Sequence, residues 1–201
     1  KWQTFQFAQQ QGIATPITFL DTDSALSALR DKQISLPLIV KPRWGSGSFA
    51  TSRVETCDQL LTEVARCRAL VSGSALAPLG GTDCVIIQEC ISGPEYGLDL
   101  LFSKNETLIG FAAKQKLTMR AGETDKAQTL PPDRFSDIAH QLALALPHRG
   151  NMDVDLIERN GALWLIDLNP RFGGGYPFSH EAGADHIGRL IAEAEGEQSP
   201  P

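Results

Sequence analysis

The sequence predicts an α+β protein built as two lobes. Three observations carry that reading. In the first half, stretches with apolar residues at helical spacing alternate with short apolar strands; in the second, strand-like runs follow one another with few helices between them. A glycine-, serine- and proline-rich connector, residues 72–82, precedes the change. This order fits sheets carrying packed helices, with lobes expected at 1–88 and 89–201.

The 201 residues make one domain or a tight pair of subdomains, at about 100–200 residues per domain. With 42% hydrophobic and 21% charged residues the composition is globular, which excludes a disordered or fibrous chain. The net charge of −6 argues against a duplex-binding module, which carries a basic face. No apolar run approaches the roughly 20 residues that span a bilayer, so neither nucleic acid nor membrane is an expected partner. Cys57, Cys67, Cys84 and Cys90 form no CxxC pair, which points to a reducing, cytoplasmic compartment. The four histidines are scattered, without the spacing of a zinc site. The first residue is Lys1, not Met, which suggests a piece of something longer.

Taken in order, Trp2, Phe5 and Ala8 or Gln9 predict a first helix that stops at Gly12. Ile17–Leu20 reads as a short strand, and Asp21 or Asp23 caps a helix through Arg30. Leu36–Lys41 reads as a strand. Thr56 caps a helix through Leu70, with Leu60, Leu61, Val64 and Leu70 on its apolar side. Val85–Glu89, Gly97–Ser103, Leu108–Lys116, Met152–Glu158 and Ala162–Asn169 predict a meander. Pro131 or Pro132 opens a helix through Leu146, and Asp185–Ala194 forms the last. The charged stretch KLTMRAGETDK, 116–126, reads as a loop.

The densest chemistry lies at Asp155, Asp167, Asn169 and Arg171. Side chains alternate along a strand, so Asp167, Asn169 and Arg171 emerge on one face while Ile166 and Leu168 turn to the other. Hard oxygen ligands from two neighbouring strands suit Mg²⁺, which takes one or two carboxylates and leaves room for phosphate and water. Turn geometry bears on this pairing. A bare two-residue turn at Asn160-Gly161 would set Asp155 opposite Ile166, whereas a three-residue loop, 160–162, sets it opposite Asp167. The expectation is the odd-numbered loop.

In VKPRWGSGS, Lys41 stands at a strand end beside the small residues Gly45, Ser46, Gly47 and Ser48, whose backbone N–H groups can approach phosphate oxygens. This is not a P-loop, because the lysine precedes the glycines; a plain hairpin tip would have the same composition. Gln88-Glu89-Cys90-Ile91 leaves a strand and can offer a carbonyl and an N–H to a purine edge, with Glu95 beyond it for ribose hydroxyls. Gly173-Gly174-Gly175 is costly in backbone entropy and suggests close backbone approach to a ligand.

Together and in this order, KWQTFQFAQQQGIATP, VKPRWGSGS, IQECISGPEYGLDL, RAGETDKAQT and WLIDLNPRFGGGYPFSHEAGAD resemble the ATP-grasp superfamily, most closely its branch similar to the carbamoyl-phosphate synthase large subunit. The resemblance implies two α+β lobes with ATP between them and phosphorylation of a carboxylate, followed by attack of an amine on the acyl phosphate. It implies ATP and Mg²⁺ (or Mn²⁺) as cofactors. Lys1 and Lys41 would hold phosphates, Gly45–Ser48 would form the lid over them, and Gln88, Glu89 and Ile91 would line adenine, with Glu95 on ribose. Asp167 and Asn169 match the family's metal ligands and Asp155 a further one; Arg171 would stabilise the transferred phosphoryl group, and Arg120 would face the acceptor.

The expected partners are small-molecule carboxylate and amine substrates. Family enzymes carry an N-terminal domain of about a hundred residues before the helix that begins here; its absence leaves a homo-oligomer or that missing domain to complete the acceptor side. The preferred function is an ATP-dependent carboxylate–amine ligase. A carbamoyl-phosphate-synthase-like fragment and a nucleotide-binding module without turnover are the rivals. No general base stands out.

Overall fold

The computed structural model describes residues 1–79, 81, 83–120 and 122–196. Two compact units emerge, Lys1–Ser92 and Gly93–Pro201, against an expected boundary after residue 88.

In the first unit the described residues form three α-helices and a four-stranded antiparallel sheet. Its elements are α1 (Trp2–Gln10), β1 (Thr18–Phe19), α2 (Thr22–Arg30), β2 (Leu38–Pro42), β3 (Ser52–Val54), α3 (Cys57–Ser72) and β4 (Val85–Glu89), with sheet order β1-β4-β2-β3. Two caps set helix starts as the sequence predicts. Asp21 Oδ1 accepts from the Ser24 N–H at 2.7 Å, and Thr56 Oγ1 accepts from the Gln59 N–H at 3.3 Å. The buried stripe of α3 is Leu60, Val64, Cys67 and Val71, packed with Leu38, Val40, Val54, Val85 and Ile87. Leu61 and Leu70, expected on that side, are exposed. Helical spacing from Leu60 lands on 64, 67 and 71, and a residue one step away is turned about 100° off the stripe. Strand β3 was not expected. The connector 72–82 holds a short 3₁₀ turn, Ala77–Leu79, and its positions 80 and 82 lie outside the described residues.

The second unit is a five-stranded antiparallel sheet, order β7-β6-β5-β8-β9, with three helices. Its elements are β5 (Glu95–Phe102), β6 (Leu108–Arg120), β7 (Glu123–Leu130), α4 (Ser136–Ala145), β8 (Gly150–Arg159), β9 (Ala162–Asn169), α5 (Tyr176–Glu181) and α6 (His186–Ala194). The stretch 116–126 is not a loop: β6 runs on to Arg120, which pairs with Glu123 at the start of β7, with Gly122 at φ 81° between them. Position 121 lies outside the described residues. Leu117 and Met119 alternate with Lys116, Thr118 and Arg120, so a period-2 signal was present in β6, whereas β7 shows no such alternation. Helix α5, with Pro177 in its first turn, was also not expected.

The expected three-residue loop between β8 and β9 is corrected, yet its consequence survives. Arg159 pairs with Ala162, leaving a two-residue turn whose Asn160 and Gly161 both sit at positive φ, 53° and 78°. That turn alone would set Asp155 opposite Ile166. The register shifts between Leu156, opposite Leu165, and Asp155, opposite Asp167, so Ile166 is the extra residue of a bulge. One inserted residue reverses which side chains face which, and the bulge does what the longer loop was expected to do.

Candidate functional site

In the first unit the phosphate-type residues gather around β2 and β4. Ile39 pairs with Gln88 and Lys41 with Ile86 across the two strands. Lys41, buried, donates from Nζ to Gln88 Oε1 at 2.7 Å; Gln88 Nε2 donates in turn to Thr18 Oγ1 at 2.8 Å. The chain of hydrogen bonds orients both side chains. Glu89 is half-buried and its carboxylate accepts from the Ile17 N–H at 3.5 Å; Ile91 is buried. Lys1 Nζ donates to the Gly45 carbonyl, tying the chain's first residue to the glycine loop. In that loop Gly45, Gly47 and Ser48 all have positive φ, 96°, 65° and 54°, and Gly45 through Ser48 are exposed. Its positive φ favours glycine at Gly45, where a Cβ would lie 3.0 Å from Leu76 Cδ1.

In the second unit cross-strand partners place one set of charges on a single sheet face. Lys116 pairs with Glu95, Lys114 with Gly97, Gly97 with Asp155, Asp99 with Asp153, Asp155 with Asp167, and Asp153 with Asn169. The turn after β9 is tight, with the Arg171 N–H donating to the Asn169 carbonyl at 2.7 Å. Arg171 Nη1 donates to Asp153 Oδ2 at 3.3 Å and to the Phe172 carbonyl at 2.8 Å. Asp155, Asp167, Asn169 and Arg171 are thus brought together, and exposed Glu95 lies on the same face. Arg120 stands apart at the hairpin tip, 84% exposed, with its Nη2 3.3 Å from Asp125.

Four participants escaped the sequence reading: Asp99, Lys114, Lys116 and Asp153. The strand parity that grouped Asp167 with Asn169 also groups Lys114 with Lys116 and Asp153 with Asp155, so the signal was present in the period-2 pattern. Lys116 Nζ donates to Asp155 Oδ1. Burial works against the charge of Lys116, but Asp155, with Asp153 and Glu95, outweighs it and holds the ammonium above its ordinary range. For Asp153, burial first and the neighbouring Asp155 second push the carboxyl up to about 6. A carboxyl raised in the folded state binds its proton more tightly than in the unfolded chain. Its stabilising contribution is therefore present below about pH 4 and is lost as pH rises through about 6. Asp153→Asn should gain stability relative to the parent over that interval, in paired thermal melts at pH 4.5 and pH 7.5; equal differences at the two pH values would contradict this.

The triple glycine lies close against this chain's own charged side chains. A Cβ on Gly173 would overlap the Asp153 carboxylate, one on Gly174 the Glu123 carboxylate, and one on Gly175 would lie 2.7 Å from Lys114 Cε. The turn has no side chains because it lies against the charged face. Behind it, Asn151 donates from Nδ2 to the Arg171 carbonyl at 3.4 Å and accepts at Oδ1 from buried His186 Nδ1 at 2.7 Å. Burial holds His186 below its usual range, consistent with a neutral imidazole donating through Nδ1.

Among the described residues no three His, Cys, Asp or Glu side chains are grouped to hold a metal by themselves. The donor set is instead two opposed carboxylates, Asp155 and Asp167, with the Asn169 amide beside them. Such an oxygen-only and incomplete set fits Mg²⁺, which retains waters and phosphate oxygens. No described helix is long and apolar enough to cross a membrane.

Comparison with known proteins gives the family and the fold. The family of ATP-grasp domains matches residues 1–175. The chain is 26% identical over 155 residues to human carnosine synthase 1, covering 72% of this chain and 19% of that protein. It is 23% identical over 159 residues to the carbamoyl phosphate synthase large chain of Deinococcus radiodurans, covering 75% of this chain and 15% of that one. The chain therefore spans about a fifth or less of these relatives. Among solved structures, the biotin carboxylase domain of Hydrogenobacter thermophilus 2-oxoglutarate carboxylase, in complex with MgADP, ADP and bicarbonate, superimposes with a TM-score of 0.77 at 17% identity. That match covers 96% of this chain and 44% of that one. Campylobacter jejuni biotin carboxylase, in a β,γ-ATP complex, gives 0.76 at 16% identity over 98% of this chain and 46% of that chain. Those two likenesses concern the fold, an α+β arrangement of two antiparallel sheets with packed helices. With the family match spanning most of its length, the chain belongs to the ATP-grasp domain family.

Proposed function

We propose that this chain is the nucleotide-binding and phosphoryl-transfer part of an ATP- and Mg²⁺-dependent ligase that activates a carboxylate and joins it to an amine. The observation that carries the reading is the pairing of Asp155 with Asp167 beside Asn169 and Arg171 on one sheet face. In this reading Lys1, Lys41 and the Gly45–Ser48 loop bind phosphates, Gln88, Glu89 and Ile91 line the adenine, and Glu95 takes the ribose hydroxyls. A bound Mg²⁺ would neutralise phosphate charge at Asp155, Asp167 and Asn169. A substrate carboxylate oxygen attacks the γ-phosphorus and ADP leaves; the amine nitrogen then attacks the acyl carbon and phosphate leaves. Arg171 stabilises charge on the phosphoryl oxygens, and positioning supplies most of the catalysis. Arg120, on its exposed hairpin tip, faces the acceptor and pairs with a carboxylate through its planar fork.

The named relatives support the ligase class: both are synthases, and a synthase of the carbamoyl phosphate type would use the same residues. The acceptor side would be completed by a further domain or a second subunit, and the free cysteines support a reducing, cytoplasmic compartment.

ADP release, measured with Mg²⁺ and a panel of carboxylates with and without amines on the full-length gene product, tests the proposal. Asp167→Ala should slow ADP release at least about tenfold, a loss of about 1.4 kcal/mol in transition-state stabilisation. Metal-free ATP affinity by calorimetry should change little. Undiminished turnover by Asp167→Ala would remove the metal assignment, and no ADP with any acceptor would favour a binding module without turnover.

A further inference from the structure

We infer that Asp153 is a positioning residue that sets which end of the Asn169 amide and which orientation of the Arg171 guanidinium are presented to the reacting phosphates. This rests on the metal and phosphoryl roles proposed for Asn169 and Arg171.

The geometry is a shared acceptor. Asp153 Oδ2 accepts from Asn169 Nδ2 at 3.2 Å and from Arg171 Nη1 at 3.3 Å. An asparagine amide has one oxygen that can ligate a cation and one nitrogen that cannot. Holding Nδ2 on Asp153 commits the nitrogen and leaves Oδ1 as the end free to ligate. The same oxygen holds the guanidinium through Nη1, which also donates to the Phe172 carbonyl. Asp153 is 9% exposed, so these are its working partners and not a transient surface pair.

Three features hold Asp153 itself in place. It pairs with Asp99 on β5 and with Asn169 on β9, so its backbone is hydrogen-bonded into the middle of the sheet. Gly173 lies over its carboxylate, and any side chain there would displace it. The Asn151–Arg171 bond ties the turn bearing Gly173 to the same strand, two residues from Asp153. Groups one layer behind metal ligands orient them, and their loss typically costs 10–100-fold in metal affinity or activity.

The experiment compares the parent chain with Asp153→Asn, Asp167→Ala and Gly173→Ala. Mn²⁺ binding is read by electron paramagnetic resonance of the free ion, and turnover as ADP release. Asp153→Asn keeps the shape but loses the charge that accepts from two donors. It should fold with an undiminished melting temperature, bind Mn²⁺ at least about tenfold more weakly, and lower kcat with little change in the KM for ATP. Gly173→Ala should reproduce the Mn²⁺ defect by displacing the carboxylate. If Asp167→Ala weakens Mn²⁺ while Asp153→Asn and Gly173→Ala bind it like the parent, the positioning role is wrong and the metal site stands. If Asp167→Ala leaves Mn²⁺ binding intact, the underlying metal assignment is what fails. A kcat loss in Asp153→Asn that merely tracks a lowered melting temperature would also overturn the inference, reducing Asp153 to a structural residue.

Discussion

Lys114→Met should lower the unfolding free energy by about 3–5 kcal/mol, the range for breaking a buried ion pair from one side. Lys114 and Asp99 are 1% and 0% exposed, with Nζ 2.5 Å from Oδ2. Ser179 Oγ donates to the same carboxylate oxygen at 2.6 Å and accepts from Lys114 at 3.3 Å, which joins α5 to the sheet. Asp99 Oδ1 has no hydrogen-bond partner among the described residues, so the ion pair and the serine offset its desolvation without satisfying every lone pair. Removing the lysine would leave a carboxylate in the sheet with only a hydroxyl for company. Asp99→Leu should cost a similar amount, because it strands an ammonium. The double variant, Lys114→Met with Asp99→Leu, should recover most of the loss, since a buried pair can be replaced by apolar groups at little cost. Urea denaturation of the four proteins gives the coupling directly. Single variants within 1 kcal/mol of the parent, on the order of an exposed pair, would mean that water reaches the pair.

Gly93→Ala should be nearly as damaging, about 3 kcal/mol, the upper part of the range for overpacking. A Cβ on Gly93 would overlap the Glu158 carbonyl oxygen and lie 3.1 Å from its carbon. Those atoms are backbone, and β8 is paired with β5 on one side and β9 on the other, so the neighbour cannot simply swing away. The Glu158 N–H also donates to the Pro94 carbonyl at 2.9 Å, which pins the entry to β5 just ahead of Glu95. The strain should therefore appear in function too, as weaker binding of ATP with less change in the affinity for inorganic triphosphate, if Glu95 reads the ribose. Parent-like stability together with parent-like ATP affinity would show that the segment shifts at no cost.

Much of this protein was legible in its residues. Helix caps at Asp21 and Thr56 and the strand Ala162–Asn169 are local features, governed by side chains a few positions apart, and they appear as expected. The face shared by Asp167, Asn169 and Arg171 follows from strand parity, another local rule. The edge hairpin from Lys116 to Lys126 was only half legible, because Leu117 and Met119 alternate with polar neighbours in β6 while β7 is almost wholly polar and only pairing makes it a strand. The opposition of Asp155 and Asp167 lies between these cases. The chemistry of the pair was readable, but the device that creates it is a bulge at Ile166, and a bulge depends on the partner strand and leaves no signature in one strand's sequence. Strand parity groups Asp153 with Asp155, but the partners of Asp153 depend on the fold. Its carboxylate gains meaning from two donors sixteen and eighteen positions away and from the bare backbone of Gly173 above it. Local sequence determines which side chains share a strand face; only packing between strands and turns decides which of those charges meet.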